Sequence, residues 1–169
     1  RRNEFDDDQR WPLDVQVAGP LAPLQASLEQ AGWRVQEQAG WEQALTMLDT
    51  GTGPDSLPVL PATLETQVES LLLVREGDNA DEIHVLRLWP APAQLQPGNI
   101  PLWLGSAQTL HFTRHFNLIG MWHPVRGVDP SLQAVKSAVQ ALPTREVHNE
   151  GVEIPVLLVK TGDGSAEAD

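Results

Sequence analysis

Residues 83–106 read IHVLRLWPAPAQLQPGNIPLWLGS, and the fold turns on how that stretch is read. Two dense apolar runs flank a connector rich in proline and glycine. In an extended first run, Ile83, Val85, Arg87 and Trp89 fall on one side and His84, Leu86 and Leu88 on the other. Apolar groups on both sides predict a central strand, covered on one side by helices and partly on the other. Residues 100–104 predict a second strand ended by Gly105-Ser106, with residues 90–99 as an irregular connector. Arg87 is the anomaly, because a guanidinium inside VLRLW must find an acceptor or emerge into water.

Working outward, residues 69–75 (ESLLLVR) predict another strand, joined to the first run by the turn-forming GDNAD of residues 77–81. Two such strands with so short a polar turn predict an antiparallel hairpin. Residues 13–17 (LDVQV) alternate as a half-buried strand. Gly19-Pro20 ends it and opens a helix with Leu21, Leu24, Leu28 and Ala31 on one face and Gly32 as the stop. A short strand is predicted at residues 33–35, and a second helix carries Trp41, Ala44, Leu45 and Leu48. Residues 50–63 predict a loop. Residues 110–116 and 118–122 predict a further strand pair. Asp129-Pro130 predicts a capped helix start, with Leu132, Val135, Val139 and Leu142 at helical spacing. Residues 145–148 and 153–160 close the chain as a hairpin. Together these predict an α+β fold: an antiparallel-dominated mixed sheet of about five to seven strands, with three helices packed mainly on one face.

The 169 residues suit one domain, here residues 11–160, between a polar linker (1–10) and a disordered tail, TGDGSAEAD (161–169). Eleven basic against 23 acidic residues leave a net charge of −12, which argues against nucleic acid as a partner. The chain has no cysteine, which excludes disulfides, thiol catalysis and cysteine zinc sites. No cofactor is called for.

Candidate chemistry is sparse. His111 and His115 are four apart on a predicted strand and point to one side, and His123 lies on the next, so three imidazoles are a candidate metal set. No HExxH motif supports them. Arg75, Arg87 and Arg114 are candidates for an anion site, against salt bridges or stacking on tryptophan as the structural alternative. Trp33, Trp41, Trp89 and Trp103 fit core positions, and Trp122 beside Met121 and His123 is a candidate exposed docking residue.

Five pieces occur in order: AGWR (31–34), LPVLP (57–61), LLLVR (71–75), LRLWP (86–90) and IPLWLGS (100–106). The ordered set, spanning residues 11–142, resembles the LssY C-terminal domain family. The resemblance implies a soluble module that follows membrane regions of DedA type or of the PAP2 lipid-phosphatase type. It carries over no catalytic residues, because the PAP2 motifs are not found here. It implies a bacterial inner-membrane parent. Arg1-Arg2 reads as a cut just after a last transmembrane helix, with the domain on the cytoplasmic face. The expected role is a non-catalytic accessory domain that regulates, or binds a ligand, the membrane region of its own parent or another protein. The alternatives are a hydrolase using His111, His115 and His123 with Arg87 or Arg114 holding an anion, and an interaction module pairing through a sheet edge or a tryptophan patch.

Overall fold

The structure, a computed structural model, describes residues 13–36, 63–64, 67–115, 119–124, 130–148 and 155–162; at 63–64, 67–68, 114–115 and 119–124 it describes the backbone alone. Ten strands are present among the described residues: β1 (Val15–Ala18), β2 (Arg34–Val35), β3 (Thr63–Leu64), β4 (Gln67–Val68), β5 (Leu71–Glu76), β6 (Glu82–Leu95), β7 (Ile100–His115), β8 (Ile119–Pro124), β9 (Thr144–Val147) and β10 (Val156–Lys160). Two helices, α1 (Ala22–Gln30) and α2 (Pro130–Ala138), accompany them. β3 and β4 form a separate ladder, and the other eight strands form one sheet. Seven lie in the order β2-β5-β6-β7-β1-β10-β9, and β8 pairs with β7 off that path. Every pairing is antiparallel except β1 with β10, which is parallel.

The expectation of about five to seven strands and three helices is therefore corrected. The balance is strand-dominated, with two helices among the described residues. The expected helix carrying Trp41, Ala44, Leu45 and Leu48 lies outside them. The apolar run at 100–104 and the described part of the second, 110–115, are not separate strands but parts of one, β7, continuous through GSAQT at 105–109. Those residues look like a break because they are small or polar. They are buried because they cross the middle of the sheet. Gly105 marks a close approach, not a strand end: a Cβ there would lie 2.7 Å from Leu88 Cδ2 and 3.0 Å from Val15 Cβ. Likewise Pro90–Leu95 continues β6 across a register irregularity between Pro90 and Gln94, so most of the expected connector is strand.

β6 sits between β5 and β7, and all seven residues from 83 to 89 are buried. Its two faces serve two cores. Leu86 and Leu88 join Val15, Val17, Leu73, Leu157 and Val159 beneath the helices, which contribute Leu24, Leu28 and Val135, with Val139 just past the end of α2. Ile83 and Val85 join Leu72, Val74 and Leu110 on the other face. Each fully buried leucine or valine contributes about 1.5–3 kcal/mol. Helices of nine residues are marginal alone, so this burial is what keeps them folded.

α1 ends as its glycine predicts. Gly32 takes φ +92°, its N–H reaches the Glu29 carbonyl at 3.1 Å, and the Trp33 N–H reaches the Leu28 carbonyl at 3.0 Å. This is a Schellman closure, and Trp33 and Leu28 share the core beneath it. At the other end the proline of the first turn is Pro23, one turn later than Pro20. The helix start expected at Asp129 lies outside the described residues, and Pro130 is the first helical residue of α2.

β1 and β8 pair along the same edge of β7, at residues 102–105 and 110–115 respectively. The gap between them would strand backbone donors. Asp14 addresses this: buried at the start of β1, it accepts a hydrogen bond from the Ala107 N–H at 2.9 Å. At the opposite end, Thr161 donates its N–H to the Ala18 carbonyl at 2.9 Å, so the first residue of the expected tail is tied to β1.

Candidate functional site

The three candidate arginines do not converge. Arg87 pairs across the sheet with Leu72 on β5 and Ser106 on β7. It is buried, and its Nη1 donates to Glu69 Oε1 at 2.9 Å. Burial pushes the guanidinium pKa below its usual value, and the Glu69 charge and hydrogen bond oppose that shift. The Ser106 hydroxyl and the Trp89 indole N–H, also buried nearby, have no partner among the described residues. Arg75 is half-buried opposite His84 and so lies on the other face, the helix side. Arg114 takes the register position opposite Gly120, eight residues along β7 from Ser106.

The histidines are partly brought together. His111 is exposed on β7, and His123 is its register partner on β8. His115 lies four residues further along, opposite Ile119. Among the described side chains, no three of His, Cys, Asp or Glu group to hold a metal. His111 and Arg87 occupy opposite faces, since Glu82, the register partner of His111, and Arg87 are an odd number of residues apart on β6.

His84 is a residue that sequence reasoning passed over. It is buried beneath α2, with Nδ1 2.8 Å from Ser131 Oγ and 3.2 Å from Thr109 Oγ1. The two hydroxyls are 2.8 Å apart. The Trp33 ring stands at 6.5 Å. A serine hydrogen-bonded to a histidine invites a nucleophilic reading. Ser131, however, is wholly buried, so no substrate reaches its Oγ in this arrangement. The cluster fixes the start of α2 onto the sheet. Its only sequence signal was the odd polar member on an alternating apolar face.

A groove appears where the sheet turns its second face outward. On β1 and β10, Val15, Val17, Leu157 and Val159 are buried beneath the helices, while Gln16, Ala18, Val156 and Leu158 are only half-buried on the opposite side. Cross-strand register continues that side through Leu102 and Leu104 of β7. An open antiparallel face ordinarily carries polar residues; this one is largely apolar. The β6–β7 hairpin extends beyond Ala18, the end of β1, and its tip supplies a wall of Leu95, Pro97 and Ile100. Gly98 and Asn99, at φ 102° and 52°, make the turn of that tip. The groove has a volume of about 820 Å³, within the usual range for small-molecule sites. Leu95 is 45% exposed on its wall. Arg145 and Lys160 close the far side. They are diagonal neighbours across β9 and β10, since Arg145 pairs with Leu158, two residues before Lys160. Such positions lie roughly 7–8 Å apart, a spacing that lets two cations flank one anionic group.

Of the tryptophans expected in the core, Trp33 and Trp89 are buried, and Trp103 is half-buried with its Nε1 donating to the Gly19 carbonyl at 3.0 Å. Trp41 and the side chain of Trp122 lie outside what is described. A family model described as LssY C-terminus matches residues 2–125. No curated protein and no solved structure matches the chain.

Proposed function

The chain belongs to the LssY C-terminus family, and on that premise we propose that it is a non-catalytic ligand-binding accessory domain of a larger membrane protein. The parent is of the DedA or PAP2 type, with this domain on the cytoplasmic side of a bacterial inner membrane. The groove on the open sheet face carries the reading. Its floor and hairpin wall, chiefly Leu95, Ile100, Leu102 and Leu158, suit an extended hydrocarbon group. Arg145 and Lys160 suit an anionic headgroup at its end. In a chain of net charge −12, the exposed Arg145 at the rim of an apolar groove favours an anion locally against the field of the whole molecule. The ligand class is therefore an amphipathic anion, an alkyl phosphate or carboxylate.

Isothermal titration with decyl phosphate tests this. Leu158→Asp puts a charge on the apolar floor and Arg145→Glu reverses a headgroup cation, so each is expected to weaken binding by about tenfold or more, equivalent to ~1.4 kcal/mol. Saturable binding that neither substitution weakens, or no binding by the parent chain, rejects the groove as the site.

A further inference from the structure

We propose that the helix-side face of the sheet carries a site for one zinc-class divalent cation, held by Glu82, His111 and His123. The register builds it. Glu82 of β6 pairs with His111 of β7, and His111 pairs with His123 of β8. Three adjacent strands thus bring these residues to one row. Directly paired residues of antiparallel strands share a face, with Cβ atoms about 4.5–5.5 Å apart. An imidazole nitrogen binds zinc at about 2.0–2.1 Å and a carboxylate oxygen at about 2.0–2.2 Å. A cation seated over the central residue, His111, lies between the register positions of Glu82 and His123 on the two flanking strands.

The chemistry of the set is apt. Two imidazoles and one carboxylate leave a fourth tetrahedral position for water, an arrangement zinc accepts. His111 is exposed and Glu82 half-buried, so the ion enters from solvent without opening the core. The row also selects among the candidates. His115 is four residues along β7 from His111 and pairs with Ile119, which puts it about 13 Å from the row. His84 is committed to Ser131 and Thr109 in the interior. The candidate metal set read from sequence thus exchanges His115 for Glu82, a residue that only the β6–β7 pairing brings alongside. The site is separate from the groove, which lies on the opposite face, and neither reading depends on the other.

Titration of zinc chloride into the chelator-treated 169-residue chain is the test. Single-site binding is expected, weakened by about tenfold or more in each of Glu82→Gln, His111→Ala and His123→Ala. His115→Ala and His148→Ala should bind like the parent chain. Far-UV circular dichroism of each variant separates loss of a ligand from loss of the fold, and NMR shifts of the His111 ring on zinc addition report the contact directly in the parent. The proposal is overturned if the parent binds no zinc. It is also overturned if any one of the three row variants binds as tightly as the parent, or if His115→Ala weakens binding as much as His111→Ala.

Discussion

Arg87 stands in β6 among buried apolar residues, and it donates to Glu69, 18 residues earlier. That an acceptor was needed is legible in VLRLW. Which of 23 acids supplies it is not, because the β5–β6 hairpin makes that choice. The same holds for His84: its alternation places it on the helix side, but Ser131 comes from 47 residues away. Both polar clusters join distant parts of the chain, and such pairings carry no local signature. The Arg87–Glu69 pair also yields a prediction. Removing one partner deprives a buried charge of this counter-ion, at a cost of up to about 3–5 kcal/mol, whereas replacing both with apolar residues of similar size costs less. Urea denaturation of Arg87→Met, Glu69→Leu and the double variant should show the double variant more stable than either single one. Additive losses would mean that the pair is not coupled.

At the scale of elements, β6 and β7 show what apolar patterning does and does not report. The alternation of residues 83–89 correctly places both faces of a central strand. The ends of these strands were misread, because proline and glycine signal irregularity only when nothing else pairs with the backbone. Pro90 lies within β6, and at Gly105 Leu88 of β6 and Val15 of β1 leave no room for a Cβ. Gly105→Ala should therefore destabilise by about 1–3 kcal/mol, the cost of overpacking. At an unstrained open position the same change would stabilise slightly. Thermal unfolding distinguishes the two signs. A second element-level contact ties α2 to β9: Lys136 Nζ donates to Glu146 Oε2 at 2.7 Å. That hydrogen bond holds the Glu146 carboxyl below its ordinary pKa. A lowered carboxylate pKa contributes stability above the unfolded value, about 4.3, and loses it as pH falls through the folded value. The pair is exposed, so the effect is small. Lys136→Met should lower the melting temperature slightly at neutral pH and leave it unchanged in strong acid; an acid-insensitive difference would assign the effect to packing of the lysine stem.

At the scale of the whole molecule, β1 and β10 join an early and a late segment as the one parallel pair among the described strands of the main sheet. Their outward faces, the end of β7 and the overshooting β6–β7 hairpin together make the groove. Its depth sets a prediction of its own: each methylene buried contributes about 0.8 kcal/mol. Lengthening an alkyl phosphate by two carbons should then tighten binding by about tenfold until the groove is filled. A flat series would show that the chain lies in solvent and only the headgroup is held. None of this groove was visible in the sequence, where Gln16, Leu95, Arg145 and Leu158 are unremarkable members of four separate segments. The row of Glu82, His111 and His123 was half visible, since two of its residues are histidines on neighbouring predicted strands and the third waited on register. What the sequence by itself determined is the alternation along each strand, the helical faces of α1 and α2, the Gly32 stop, the two hairpins β5–β6 and β9–β10, and the family resemblance. These rest on periodicities and turn preferences that act over a few residues. Only the tertiary structure decided the strand order, the parallel closure of β1 on β10, the partners of Arg87 and His84, and the position of the groove. Those depend on contacts between residues far apart in the chain, where each candidate pairing looks locally alike and the packing of the whole sheet selects one.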